Sequence, residues 1–164
     1  MTLNRGHNIG FTLIELMVVI VIFSLIAGIA VQRMASLDNR WLQGEAAALG
    51  LRLNHALDHA LMSQEEIVWH HDGASNSYRF MVRAVGNEWR DSSTKGLGVH
   101  LLTRPVQFRL TGKNQLANDG IGTLAFYPGG EYTPFTLEMT AAGSPGYTLS
   151  GDGFNDIRLT VLTP

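Results

Sequence analysis

The chain has 164 residues, a formal charge of −2, six histidines and no cysteine, which suits one domain with a long extra element. The lack of cysteine excludes a disulfide scaffold, Cys-rich zinc sites, thiol catalysis and Fe–S ligation. The near-neutral charge gives no general attraction for nucleic acid. Only 16% of the residues are charged and 18 are Gly, which fits a membrane-linked or β-rich extracytoplasmic protein better than a soluble helical one.

A polar leader, Met1–Gly10, carries Arg5 as its only charged side chain. From Phe11 to Val31 the chain is apolar, with the single charge of Glu15. As a helix this run is about 32 Å long at about 1.5 Å per residue, enough for a bilayer core of about 30 Å. Arg33 and Arg40 follow it, so basic residues flank both ends and do not fix its orientation.

Three readings compete for this segment. A secretory signal peptide cut after Gly28-Ile29-Ala30, with Val31 as the new N-terminus, needs a shorter apolar run and no carboxylate. A plain anchor has no use for Glu15, because a carboxylate in a bilayer is costly. The third reading gives Glu15 a partner. Cutting after Gly10 frees an α-amine on Phe11, one helical turn before Glu15, and the two charges neutralise each other within one chain or between neighbours.

Gly10-Phe11-Thr12-Leu13-Ile14-Glu15 and the apolar run after it resemble the processing motif of type IV pilins and type II secretion pseudopilins. The resemblance implies a prepilin peptidase that cuts between Gly10 and Phe11 and methylates the amine of Phe11. It also implies that Glu15 guides entry of the subunit into a helical filament. Many pilins have a kinking Pro in this helix. Here the first Pro is Pro105, so the sequence forces no kink.

From 32 to about 64 there is no Pro. Leu42, Ala46, Leu49, Leu53, Ala56, Leu57, Ala60 and Leu61 fall at helical spacing, with Trp41 near the stripe. The spacing predicts one helix over about 11–64, apolar in its first half and amphipathic in its second. Gly44 and Gly50 weaken it by up to about 1 kcal/mol each, and serve bending, close packing or neither.

After Glu66 the period becomes two. Strands are predicted at 67–70, 78–84, 97–102, 106–110, 124–126, 135–140 and 154–162, separated by turns at His71-Asp72-Gly73, Gly86-Asn87, Gly112, Asn118-Asp119-Gly120, Gly129-Gly130 and Gly143–Gly146. Residues 91–96 read as a polar, mobile loop. Short strands in this number suggest a small antiparallel sandwich, with the amphipathic helix covering the apolar face of one sheet.

Leu124-Ala125-Phe126-Tyr127-Pro128-Gly129-Gly130 is similar to an apolar-x-Phe-x-Pro-x-Gly pattern of H-type minor pseudopilins (GspH) and FimT-like minor pilins. Gly151-Asp152-Gly153 before a last strand also resembles that group's ending. From the residues themselves, Phe126, Pro128 and Gly130 read as a core aromatic, a turn Pro and a Gly with special backbone angles.

Other constellations are weak. His55 and His59 have a metal-ligand spacing of i, i+4 but sit away from the apolar stripe with no accompanying Glu. In His70-His71-Asp72, adjacent strand residues point to opposite faces. Asp152, Asn155 and Asp156 lack the calcium-loop spacing and read as a polar turn. No catalytic motif is present. Arg79, Arg83, Arg104, Arg109 and Lys113 form at most a loose basic set, short of a nucleic-acid patch.

The sequence is therefore read as α+β and pilin-like: a 1–10 leader, an 11–31 transmembrane helix segment, a 32–66 amphipathic continuation, and a 67–164 periplasmic β-rich domain. The resemblance implies a minor pseudopilin near the tip of a type II secretion pseudopilus. It implies a single pass through the bacterial inner membrane, and partners among other minor pseudopilins, the major pseudopilin and the prepilin peptidase. No enzyme activity, metal, cofactor, nucleic acid or small-molecule substrate is expected. The alternative is a FimT- or FimU-like minor pilin of a type IV pilus, serving adhesion, motility or DNA uptake.

Overall fold

The computed structural model describes residues 13–83, 88–112 and 123–162, with only the backbone of 27–39 and 123. Gly10, Phe11, Gly86-Asn87, Lys113 and Asn118-Asp119-Gly120 lie outside the described residues. The chain divides into two units, Met1–Leu37 and Asp38–Pro164.

Helix α1 spans Leu13–Ser63. In the first unit, every described side chain from 13 to 26 is exposed. Glu15 and Ser24 are its polar members, and Ser24 donates its hydroxyl back to the Ile20 carbonyl at 2.8 Å. That bond internalises the one neutral polar group of the run. Among the described residues no helical stretch is long and apolar enough to cross a membrane. The described apolar run stops at Ile26, and the side chains of 27–31, which would complete a span, lie outside it.

The second unit contains the other half of α1 and nine strands. These are β1 (Ile67–Asp72), β2 (Ser77–Arg83), β3 (Trp89–Asp91), β4 (His100–Leu101), β5 (Gln107–Gly112), β6 (Thr123–Phe126), β7 (Phe135–Thr140), β8 (Tyr147–Gly151) and β9 (Arg158–Val161). One antiparallel sheet runs β3-β2-β1-β6, with β4 also pairing β2; the other runs β5-β7-β8-β9. Register places Trp69 opposite Phe80 and Leu137 opposite Leu149.

The helix stripe and both sheets build one core. Leu42, Ala46, Leu49, Leu53, Ala56 and Ala60 are fully buried with Ile67, Phe80, Phe126, Leu137 and Leu149. The predicted stripe fails at one residue: Leu61 is half exposed, beside fully buried Ala60 in the same turn. Gly50 serves close packing. A Cβ there would lie 3.1 Å from the Leu149 side chain, whereas nothing approaches Gly44.

Four polar clasps hold this part of α1 to the strands and loops. Arg52 donates to the Tyr78 hydroxyl at 2.6 Å, and His100 Nε2 donates to Glu45 Oε2 at 3.0 Å. His59 Nε2 and Thr94 Oγ1 share a hydrogen bond of 2.6 Å, and Asn54 Oδ1 accepts from the Ile157 amide at 2.9 Å. Burial pushes the Tyr78 hydroxyl up to about 12 despite the opposing Arg52 charge, so it stays a neutral acceptor for that guanidinium.

Several predicted elements change. The 97–102 strand shrinks to His100–Leu101, since a turn with Gly96 at φ +89° carries buried Leu97 out of pairing. The 154–162 strand starts only at Arg158, because the Asp152 carboxylate turns the preceding residues. Strands β3 and β8 are additions. The 91–96 loop is tied down: Ser92 is buried, its amide donates to Phe80 O at 2.8 Å, and Thr94 meets His59.

Candidate assembly site

A helix apolar on every side is stable only when something covers it. From Leu13 to Ile26 the exposed side chains are Leu, Ile, Val, Met and Phe apart from Glu15 and Ser24. Each such side chain contributes about 1.5–3 kcal/mol when fully buried, so the segment is an adhesive surface. Glu15 lies in the first turn of α1, where the helix end's unpaired N–H groups favour a carboxylate. Gly10 and Phe11 precede the described residues, so the geometry locates the acid of the expected amine–carboxylate pair and not the amine.

The second set of predicted residues forms a turn against the end of α1. Phe126 is fully buried, its ring 5.9 Å from that of Tyr132. The Gly130 amide donates to Tyr127 O at 3.0 Å and Tyr127 N to Glu131 O at 2.9 Å. Gly130 has φ +83°, a conformation that penalises any Cβ. Gln64, just past the helix, donates to Pro128 O at 3.2 Å and to Leu61 O at 2.7 Å. The Phe126–Pro128–Gly130 turn therefore bridges strand β6 to the helix C-terminus.

The remaining polar groups have local partners. Asp152 accepts from the amides of Phe154 and Asn155 at 3.1 and 2.9 Å and from Asn155 Nδ2 at 2.7 Å. These bonds hold its carboxyl down at about 2 and occupy oxygens that a cation would need. Among the described residues no group of three or more His, Asp or Glu is placed to hold a metal. His55 is exposed, as expected for the solvent face, whereas His59 is half-buried under the 92–97 loop. Their rings are 6.4 Å apart, and a Cβ on Gly96 would sit 3.5 Å from His55 Nδ1. Arg79 pairs with Asp91 at 3.7 Å, Arg83 with Glu66 at 3.0 Å and Arg109 with Glu138 at 3.9 Å. Arg104 stacks 5.2 Å over Trp41. The four arginines of the basic set weighed from sequence are thus dispersed among carboxylates and an indole, and Lys113 lies outside the described residues.

His71 packs 4.4 Å from the Phe108 ring, and its Nε2 is buried without a hydrogen-bond partner among the described residues. Burial lowers its pKa, His70 adds to the effect and Asp72 opposes it; burial and Arg79 lower His70. A folded pKa below the unfolded value of about 6.5 gives stability that is full above that pH and is lost as pH falls through the lowered value. Melting temperature should therefore fall as the pH drops below about 6.5, and His71→Phe should shrink the drop. An unchanged drop in that variant overturns the assignment.

A helix with an all-round apolar N-terminal stretch, followed by an antiparallel two-sheet unit, defines the pilin-like class. Residues 5–31 match the prokaryotic N-terminal methylation motif, and residues 45–153 match type II transport protein GspH. The chain belongs to the GspH family, the H-type minor pseudopilins of type II secretion. The FimT-like alternative is not favoured. The fold resembles two structures of the minor pseudopilin EpsH from the type 2 secretion system of Vibrio cholerae. Both are 18% identical with a TM-score of 0.57, covering 75% and 77% of this chain and 97% and 96% of theirs. No curated protein matches the chain.

Sequence reasoning did not single out Asn54 or Tyr132 as fixing residues. Asn54 faces Ile157 across 103 positions, and no local pattern signals so distant a bond.

Proposed function

We propose that this chain is a structural subunit near the tip of the secretion pseudopilus, anchored in the inner membrane through 11–31 with its β-rich unit in the periplasm. Gly10–Phe11 is the peptidase site, Phe11 carries the methylated amine, and other minor pseudopilins and the major pseudopilin are its neighbours. It carries out no chemistry of its own. The observation behind this reading is the exposed apolar run from Leu13 to Ile26, broken at its N-terminal end by Glu15. Apolar burial against neighbouring helices supplies the assembly energy, and the acid supplies register by meeting an amine.

The test is deletion of the gene with complementation. Folded exoproteins should accumulate in the periplasm and return to the medium when the gene is restored. Unchanged secretion would refute the reading and direct attention to motility and DNA uptake. Glu15→Ala should leave membrane insertion intact and reduce incorporation into sheared filaments; normal incorporation would refute the amine–carboxylate pairing.

A further inference from the structure

The loop 152–157 is fixed along its length and still presents an aromatic ring to solvent. The Asp152 carboxylate accepts from the amides of Phe154 and Asn155. Gly153 is buried at φ +106°, where a Cβ would lie 2.9 Å from the Tyr132 carbonyl oxygen. Its own carbonyl accepts from the Tyr132 amide at 2.9 Å, and the Tyr132 hydroxyl donates to Asn155 O. Asn54 accepts from the Ile157 amide at 2.9 Å. Phe154, at the tip, is 78% exposed, and no other Phe, Tyr or Trp among the described residues is as open. A large ring on a pre-ordered loop loses little freedom on docking, which is how interface anchors gain affinity.

The charges beside the ring say what it can meet. Asp152 spends its oxygens on the loop itself. The exposed Asp156 side chain makes no hydrogen bond or ion pair among the described residues, although Arg158 lines the same recess of about 250 Å³. An exposed ring with an uncommitted carboxylate two positions on fits an apolar socket whose rim is basic, since complementary charge at a rim selects the partner. A twofold pairing of two such loops would instead bring two acidic rims together.

Position in the second unit says which neighbour that is. Strand β7 runs from Thr140, which shares a recess with Trp41, to Phe135, which shares one with Asp152 and Asp156. Along α1 Trp41 comes first, and Asn54, which holds the loop, follows about 20 Å later at helix rise. The chain thus arrives from its N-terminal segment at the Trp41 end, and the loop sits toward the opposite end. In a filament whose subunits all point one way, that opposite end is directed at the next subunit outward. We propose that the Phe154 loop is the anchor by which this subunit grips its outward neighbour, a different minor pseudopilin, through an apolar socket on that partner with a basic side chain facing Asp156. The inference rests on the subunit reading above and assigns one of its contacts to named residues.

The test is site-specific photo-cross-linking of the full-length chain in intact cells that carry the secretion system. The photo-reactive amino acid p-benzoylphenylalanine replaces Phe154 in one variant. In the other it replaces Ala142, an exposed residue at the Trp41 end. Illumination should join position 154 to a different minor pseudopilin, identified by mass spectrometry, severalfold more than position 142 does. Adding Asp156→Arg should lower that yield about two- to fivefold, the scale of a rim charge pair, with the melting temperature of the chain unchanged. Cross-links from position 154 only to a second copy of this chain, only to the major pseudopilin or to no pseudopilin overturn the proposal. Equal yields of the same product from both positions, or full yield with Asp156→Arg, also overturn it. The deletion strain tests the subunit reading separately. If secretion needs the gene and position 154 captures no minor pseudopilin, the loop assignment alone falls.

Discussion

Changing Gly10 to valine should leave the chain entirely at precursor mass, with Met1–Gly10 still attached. A peptidase that cuts after Gly10 must bring the scissile backbone close, and only Gly leaves that side of the bond free of a Cβ. The branched side chain of valine adds bulk and stiffens the backbone there. Without cleavage Phe11 never gains its amine, so the carboxylate of Glu15 has no charge to meet and filament entry fails as well. Intact mass spectrometry of membrane extracts reads the result. A product lacking ten residues would refute the assignment of the site, and a normal filament built from uncut chain would refute the role given to the amine.

Trp69→Ala should cost the β-rich unit about 3–5 kcal/mol, against a whole stability of about 5–15 kcal/mol for a typical domain. Trp69 is 1% exposed. Its ring lies 5.7 Å from Phe108, 6.2 Å from Tyr78 and 6.3 Å from His71. It joins β1 of one sheet to β5 of the other, so its removal opens the space between sheets. Its indole N–H has no hydrogen-bond partner among the described residues, and an unpaired buried donor carries a penalty of about 1–3 kcal/mol. Trp69→Phe sheds that donor and keeps most of the volume, so it should cost less than half as much as alanine. Urea unfolding followed by circular dichroism gives both values. An alanine variant within about 1 kcal/mol of wild type would show that the sheets close over the gap.

The long helix and its buried stripe were legible because period and burial coincide. Six of the eight predicted stripe residues are fully buried and Leu57 is partly so. Phe135–Thr140 was legible to the residue, since its alternation of apolar and polar side chains matches a strand with one buried face. Trp89–Asp91 was not, because all three residues are exposed and an edge strand of that length has no alternation to read. Tyr147–Gly151 was hidden by the Gly and Pro residues before it. Glu15, to which the assembly role is proposed, was visible as a lone charge in an apolar run. The Asn54–Ile157 and Tyr132–Asn155 bonds were not visible, since they depend on where the chain returns after many residues.

The bond between Asn54 and Ile157 also sets a clock. Ribosomes add about 5–20 residues per second, so the 103 positions between those partners take roughly 5–20 seconds to emerge. During that interval the stripe from Leu42 to Ala60 is already made while the strands that cover it are still being synthesised. The nascent chain thus carries a sticky amphipathic surface for seconds, and its closure waits until Ile157 has emerged. Truncation just before Ile157 should therefore cost more than the loss of an edge strand, because it leaves that early-made surface without the Asn54 clasp.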